Sequence, residues 1–413
     1  MASIRRIALI LFGITSALAV TARADVVTDW NALTVGHAVA VGRPGPSWVL
    51  DVAVVQVAVY DAVQAIEGDY QPYCGGIPGA SGSIRAAVSK AARDVLVARF
   101  PARTMQINDD YDTAVAGIDA NDPGFAVGAA AAACVIAMRN GDGAFPNPPA
   151  TPFSGGLLPG EWQPTASGPL TFPWLGSVTP FTMRSVDQFR ADAPAALTSP
   201  EYTRTFNETK ALGRGTGSSR STEQTDLALF WNGNFPGQFN KLARDLAIEH
   251  SLSVSESSRL LALADVAMAD GLIAAWCDKL HFNFWRPETA IKNADLDGNP
   301  KTEKDAAWMP LVGTPPYPDH TSGANVLSGA ALRSLSLYFE TNEMEFSIMT
   351  TNAGITDPAK RTRSYSKFSQ VRDEVEDARI YQGIHFRFSD ADARRQGEHI
   401  AQWANSHFFR AVE

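Results

Sequence analysis

The chain has 413 residues, 45% hydrophobic and 19% charged, which supplies a sizeable core and excludes intrinsic disorder or a collagen-like repeat. Lys plus Arg number 35 against 44 Asp plus Glu, a formal charge of −9. Binding to a phosphate backbone needs clustered positive excess, so no nucleic-acid partner is expected.

The first 24 residues have the pattern of a secretory signal. Arg5 and Arg6 precede the apolar run Ile7–Val20, and Ala22-Arg23-Ala24 offers a small-residue cleavage site. The apolar run is shorter than the roughly 20 residues of a spanning helix, and no later run reads as one. The expectation is a secreted or periplasmic protein without stable membrane insertion. Residues 25–140 read as an N-terminal helical region. Trp48–Ile66 is apolar on most faces, as in the interior of a bundle. Ser83–Phe100 and the alanine-rich Phe125–Met138 continue it. Cys74, Cys134 and Cys277 are an odd number: Cys74 and Cys134 could pair, but sequence leaves the pairing open. Cys277, in an apolar helical run, is expected to be a small buried hydrophobe.

Residues 141–220 are expected to be irregular. Eight of the 25 prolines fall between Phe145 and Trp174, and proline at that density prevents helix. Trp162, Phe172 and Trp174 in the same stretch suggest a loop laid on the protein rather than a free linker. Residues 221–413 return to helical pattern. Ser253 and Glu256 form a capping box opening a long helix towards Lys279. Asp295, Asp297 and Asn299 imitate a calcium loop, but Lys304 stands where the closing Glu belongs, so a turn is expected. Ser322–Phe339, Ser366–Tyr381 and Ser389–Phe408 read as helices, each opened by a serine cap. Strand-like alternation is nearly absent, and the fold class is all-α, with helical bundles.

Three C-terminal segments carry chemistry. Lys279 and Arg286-Pro287 are two cations about two helical turns apart, which on a continuous helix would share a face. Among Phe282, Phe284 and Trp285 they are costly to bury without an anion. Ser322-Gly323 opens a helix, whose first N–H groups favour anions. Arg379 lies in the last turn before Gly383, a residue suited to a left-handed helix end, and His385 follows on the turn to the next helix.

Together these segments resemble the superfamily of vanadium-dependent haloperoxidases and type 2 phosphatidic acid phosphatases, in its bacterial haloperoxidase-like branch. Its signature is K-x6-RP, then P-S-G-H, then S-R-x5-H. Lys279, Arg286 and Pro287 match the first part, Ser322 and Gly323 the core of the second, Arg379 and His385 the third. The resemblance implies an oxyanion site in the C-terminal bundle. Lys279, Arg286, Ser322, Gly323 and Arg379 would bind the oxygens of vanadate or phosphate. His385 would be the vanadium ligand, or the nucleophile towards phosphorus. The substrates implied are hydrogen peroxide and halide with vanadate as cofactor; the alternatives are a phosphate ester with no cofactor, or oxyanion binding alone.

Two departures matter. The acid–base His of the second motif is Ala324 here, which puts turnover in doubt. His320 and His281 are the candidate stand-ins, since imidazole suits proton transfer near neutrality. Asp390 lies one residue later than the usual partner of the motif's histidine, and is the expected orienter of His385. On the signal reading, mass spectrometry of the protein from its native host should find an N-terminus near Asp25 in the periplasm or medium. An intact Met1 form in the cytosol would contradict it.

Overall fold

The computed structural model describes residues 25–43, 45–145, 153–165 and 170–412, so the expected signal segment lies outside the described residues. The N-terminal half contributes α1 (Val26–Ala40), α2 (Gly45–Glu67), α3 (Ile84–Arg99), α4 (Thr104–Ala114) and α5 (Gly124–Arg139). After a largely irregular stretch come α6 (Pro200–Leu212), α7 (Thr222–Phe230), α8 (Phe235–Glu249), α9 (Val254–Phe282) and α10 (Pro287–Lys292). The C-terminal part holds α11 (Gly323–Tyr338), a hairpin of β1 (Glu343–Met349) and β2 (Thr362–Lys367), then α12 (Phe368–Gln382) and α13 (Arg387–His407).

Helix α9 is the axis of the molecule. Its capping box forms as the sequence suggests, with Ser253 and Glu256 bonding each other's backbone N–H. The helix is apolar all round because α2 packs on one side and α11 and α13 on others. Both α2 and α9 are long and apolar enough to cross a membrane by length and composition, contrary to the expectation that no run after the signal segment would read so. Inside the bundle their apolar windows are 89% and 94% buried. Helices α11 and α13 approach unusually closely. A Cβ at Gly397 would sit 2.2 Å from the Val326 carbonyl oxygen, so only glycine permits this contact, which sets α13 against the start of α11.

Several expectations need correction. Helix α6 lies inside the 141–220 stretch that was expected to be irregular, opened by Ser199 and Pro200. Ser366 is in strand β2 rather than a helix cap, and Ser389 is inside the first turn of α13. The hairpin interrupts an otherwise helical chain, with Phe346 opposite Tyr365 and Ile348 opposite Arg363. Its alternation was present in the sequence Glu343-Met-Glu-Phe-Ser-Ile-Met349, whose Phe346 and Ile348 turn inward. Cys74 and Cys134 form a disulfide tying the loop after α2 to α5. Cys277 is half-buried beside Arg190, not a fully buried hydrophobe.

A polar cluster fastens the N-terminal helices to the axis. Asn31 of α1 donates to Gln56 of α2 and Asp265 of α9, each at 3.2 Å, and accepts from Arg244 of α8 at 2.7 Å. Burial raises the Asp265 carboxyl to about 7, against the pull of Arg244 and its hydrogen bonds. The folded state therefore holds a proton that the unfolded chain releases near pH 4. Stability through this group falls as pH rises from about 4 to about 7, by up to about 1.4 kcal/mol per pH unit, and is level above. Asp265→Asn mimics the protonated form. Its thermal midpoint should gain on the parent across that window and then run parallel; a constant offset from pH 4 to 8 would contradict the assignment.

Candidate active site

The three sequence segments meet at the C-terminal end of α9. Lys279 is in the last turn of α9, but the expected shared helical face with Arg286 does not exist. Asn283 adopts a left-handed conformation (φ 47°) and ends the helix, and Arg286 stands in extended backbone before α10. The chain turns back, which aims both cations at one point. The proline-rich loop pins this turn: the Trp162 N–H donates to the Asn283 carbonyl at 2.7 Å, and the Trp285 N–H donates to the Gly160 carbonyl at 2.9 Å. Trp162 is fully buried, so this part of the loop is structural rather than superficial. Phe284, Phe386 and Phe388, drawn from the first and third segments, pack on one another with ring centroids 5.5–6.1 Å apart. The aromatic residues flanking the charged positions thus form the platform that holds them.

Hydrogen bonds then join the segments pairwise. Lys279 Nζ donates to the Pro318 and Asp319 carbonyls at 2.8 and 3.0 Å. Arg286 Nε donates to the Tyr317 carbonyl at 2.7 Å, and Nη1 to the Ile384 carbonyl at 2.6 Å. Gly383, at φ 81°, ends α12 after Arg379, and His385 follows on the turn into α13. Thr209 of α6 donates to the His385 carbonyl at 3.1 Å.

His385 is the centre of the constellation. Its Nδ1 lies 2.8 Å from the carboxylate of Asp319 and its Nε2 3.0 Å from Arg286 Nη1. A carboxylate this close to Nδ1 favours a ring proton on that side, which leaves the lone pair at Nε2, the form needed for a ligand or nucleophile. Burial, then Arg286, Lys279 and Arg379, hold His385 well below its usual pKa, so it is neutral. Burial followed by the Arg286 charge holds Lys279 well below its usual range, and burial lowers Arg379 to about 10. Burial raises Asp319 to about 6 and Asp390 well above the carboxylate range. Asp319 is thus the main negative charge facing three cationic side chains. Arg286 Nη2 and Arg379 Nε are buried without a hydrogen-bond partner. Unpaired buried donors are costly, and an oxyanion is the group that would satisfy them.

Three sequence expectations change here. Asp390 does not orient His385: it accepts from Asn325 Nδ2 at 2.7 Å and from the Ser322 hydroxyl. Asp319 takes that place, itself held by the Ser389 hydroxyl. His320 is not poised at the site. Its Nε2 is 2.8 Å from the Asp192 carbonyl, its Nδ1 3.3 Å from Ser389, and burial lowers it to about 4. His281 is exposed and is not among the residues lining the cavity at the cage. Ser322 caps α11 by position but makes no side-chain capping bond.

Over the cage lies a cavity of about 480 Å³ whose lining includes Gly323, Ala324, Arg379, Trp276 and Tyr317. Sequence reasoning missed Tyr317. Its ring centroid is 5.2 Å from Lys279 Nζ and 4.9 Å from the Arg286 guanidinium. Asp319 was also missed, although it lies in the second segment, just ahead of the Ser322-Gly323 turn in sequence.

Comparison with known proteins gives the same picture. Residues 259–413 match the family model described as the VCPO second helical-bundle domain. The vanadium chloroperoxidase of Curvularia inaequalis is 26% identical over a 286-residue alignment covering 54% of this chain and 46% of that protein. The match thus spans about half the length of that relative. The crystal structure of the first bacterial vanadium-dependent iodoperoxidase superposes with a TM-score of 0.77 at 24% identity, covering 94% of this chain and 96% of that one. A holo-type bacterial vanadium-dependent chloroperoxidase superposes with a TM-score of 0.70 at 18% identity, covering 88% and 91%. The fold is thus that of the bacterial vanadium-dependent haloperoxidase structures, and residues 259–413 are similar to that family's second helical-bundle domain.

Proposed function

We propose that this chain is an exported peroxidase that oxidises halide with hydrogen peroxide, using vanadate held at His385. The observation that carries the reading is the buried His385, with the Asp319 carboxylate 2.8 Å from Nδ1 and Arg286 3.0 Å from Nε2, among the side chains of Lys279, Arg286 and Arg379. The donor set fits vanadate: two partnerless guanidinium nitrogens and the N-terminus of α11 can each serve an oxygen, the Ser322 hydroxyl can do so on turning from Asp390, and a neutral imidazole can serve the metal. When bound there, vanadate supplies a Lewis acid that activates hydrogen peroxide without changing its own oxidation state.

The chain's residues have distinct tasks. Arg286 and Arg379 offset the negative charge of the oxyanion, and buried in a low-dielectric site they do so strongly. Lys279, reined in by two backbone carbonyls, can donate to an oxygen of the bound group. The Asp319 carboxylate keeps the His385 proton on Nδ1. Proton transfer at the cavity falls to Tyr317, because no carboxyl or imidazole is among the residues lining it. The same gap weakens the phosphatase alternative, in which a leaving alkoxide must be protonated. Iodide is the halide easiest to oxidise and suits a site without a strong acid–base group. The neighbours named as an iodoperoxidase and chloroperoxidases support a halide over a phosphate ester.

The test is reconstitution with orthovanadate, followed by iodide and bromide oxidation and p-nitrophenyl phosphate hydrolysis side by side. Iodide oxidation should be fastest and phosphate ester hydrolysis slowest. His385→Ala should abolish both activity and vanadate retention. Tyr317→Phe should lower turnover by about 10²-fold with vanadate affinity nearly intact. His320→Gln should change turnover less than that, and Ala324→His should raise it. Phosphatase activity dominating in the parent, or His385→Ala retaining vanadate, would overturn the proposal.

A further inference from the structure

The cavity above the cage is far larger than peroxide or a halide requires. Its volume is about 480 Å³, against the roughly 10–15 Å³ that lodges one water and the 300–1,000 Å³ typical of organic ligand sites. Its walls are mostly apolar and flat-faced: Trp48 of α2, Phe235 at the start of α8, Trp276 and Leu272 of α9, and Leu327 of α11. Trp48 and Trp276 are almost fully buried within the fold, so these walls are set by packing and not by ligand. Side-chain amides come from Asn232 and Asn234.

Charge narrows the occupant. The charged residues lining the cavity are Arg43 and Arg379, with no acid among them. Arg379 belongs to the cage. Arg43 lies 3.2 Å from Asp51, which is also paired with Arg99, so two guanidiniums share one carboxylate. The nearby Asp142 does not restore balance, because it is paired with Arg139 at 2.6 Å. Arg43 keeps a quarter of its side chain accessible, while Asp51 is sealed in. A positive charge is left facing an aromatic-walled cavity.

From this we infer that the cavity is a binding site for a small organic anion with a flat apolar body, an aromatic carboxylate. The carboxylate is held by Arg43 and the ring lies against Trp48 and Phe235, beside the oxyanion cage. This rests on the reading of the cage as an oxyanion site only for its bearing on the reaction: the molecule would then be the organic acceptor of the oxidised halogen.

Calorimetric titration of the full mature chain, first alone and then saturated with orthophosphate, with 3-phenylpropanoate and the neutral 3-phenylpropanol tests it. The acid should bind about tenfold or more tightly than the alcohol, and should still bind after phosphate loading. Arg43→Gln should erase the preference for the acid. Val39 lines the mouth and is 49% exposed, so Val39→Trp can obstruct entry without disturbing the core. It should weaken both ligands by about tenfold or more and leave phosphate affinity unchanged. Equal binding of acid and alcohol, loss of the acid on phosphate loading, or indifference to Val39→Trp would each overturn the inference. Failure of the oxyanion reading shows separately, as absence of phosphate binding in the loading step, with the acid still measurable on the unloaded protein.

Discussion

Everything at this site follows from the burial of three cations around one neutral imidazole with too little negative charge to match them. Lys279 and Arg286 are fully buried and Arg379 nearly so, yet the acids nearest them are Asp319 and Asp390, and burial drives the latter towards its neutral form. Such an arrangement is unfavourable for the isolated protein, since removing a charge from water costs several kcal/mol unless a partner compensates. It is tolerable because carbonyls of Pro318, Asp319, Tyr317 and Ile384 take up part of each cation's donors. The donors left over, Arg286 Nη2 and Arg379 Nε, are of the kind that an oxyanion would satisfy.

The remainder of the fold can be understood as the frame that enforces this frustration. The left-handed turn at Asn283 reverses the chain so that Arg286 faces Lys279. The buried loop tryptophan Trp162 holds that turn, and the edge-on packing of Phe284 against Phe386 and Phe388 keeps the first and third segments from separating. Helix α9 cannot yield, being clasped by α2, α11 and α13. Asp319 is held by Ser389 and lies against Nδ1 of His385, and the Ser389 hydroxyl is in turn close to His320. The histidine that sequence reasoning wished to place at the cavity therefore braces the orienting carboxylate from behind.

Much of this was legible in the sequence, for identifiable reasons. The capping box at Ser253 and the uninterrupted apolar runs of α2 and α9 are local signals, and they specify helices wherever they occur. The three motifs named Lys279, Arg286, Ser322, Gly323, Arg379 and His385 by residue type and spacing, and the fold brings those segments together at the end of α9. What escaped was set by three-dimensional packing. Spacing of seven residues suggested a shared helical face, but the helix stops at Asn283, and only the loop from residue 153 onward explains why. Asp390 was favoured over Asp319 by its offset from His385, whereas the fold decides which carboxylate reaches Nδ1. Tyr317 carries no motif, and its place at the cavity depends on where the proline-rich stretch 315–318 crosses the cage. The hairpin of β1 and β2 is a different failure: its alternation was present, but a short pair of strands is easily passed over in a chain of helical pattern.

The most direct test of the central claim is a crystal structure of the protein grown with orthovanadate. Density is expected for one oxyanion at Nε2 of His385. Its oxygens would meet Lys279, Arg286, Arg379, Ser322 and the Gly323 N–H, with Arg286 Nη1 drawn off the imidazole. A structure with the cage free of the anion and Arg286 still against His385, under saturating orthovanadate, would contradict it.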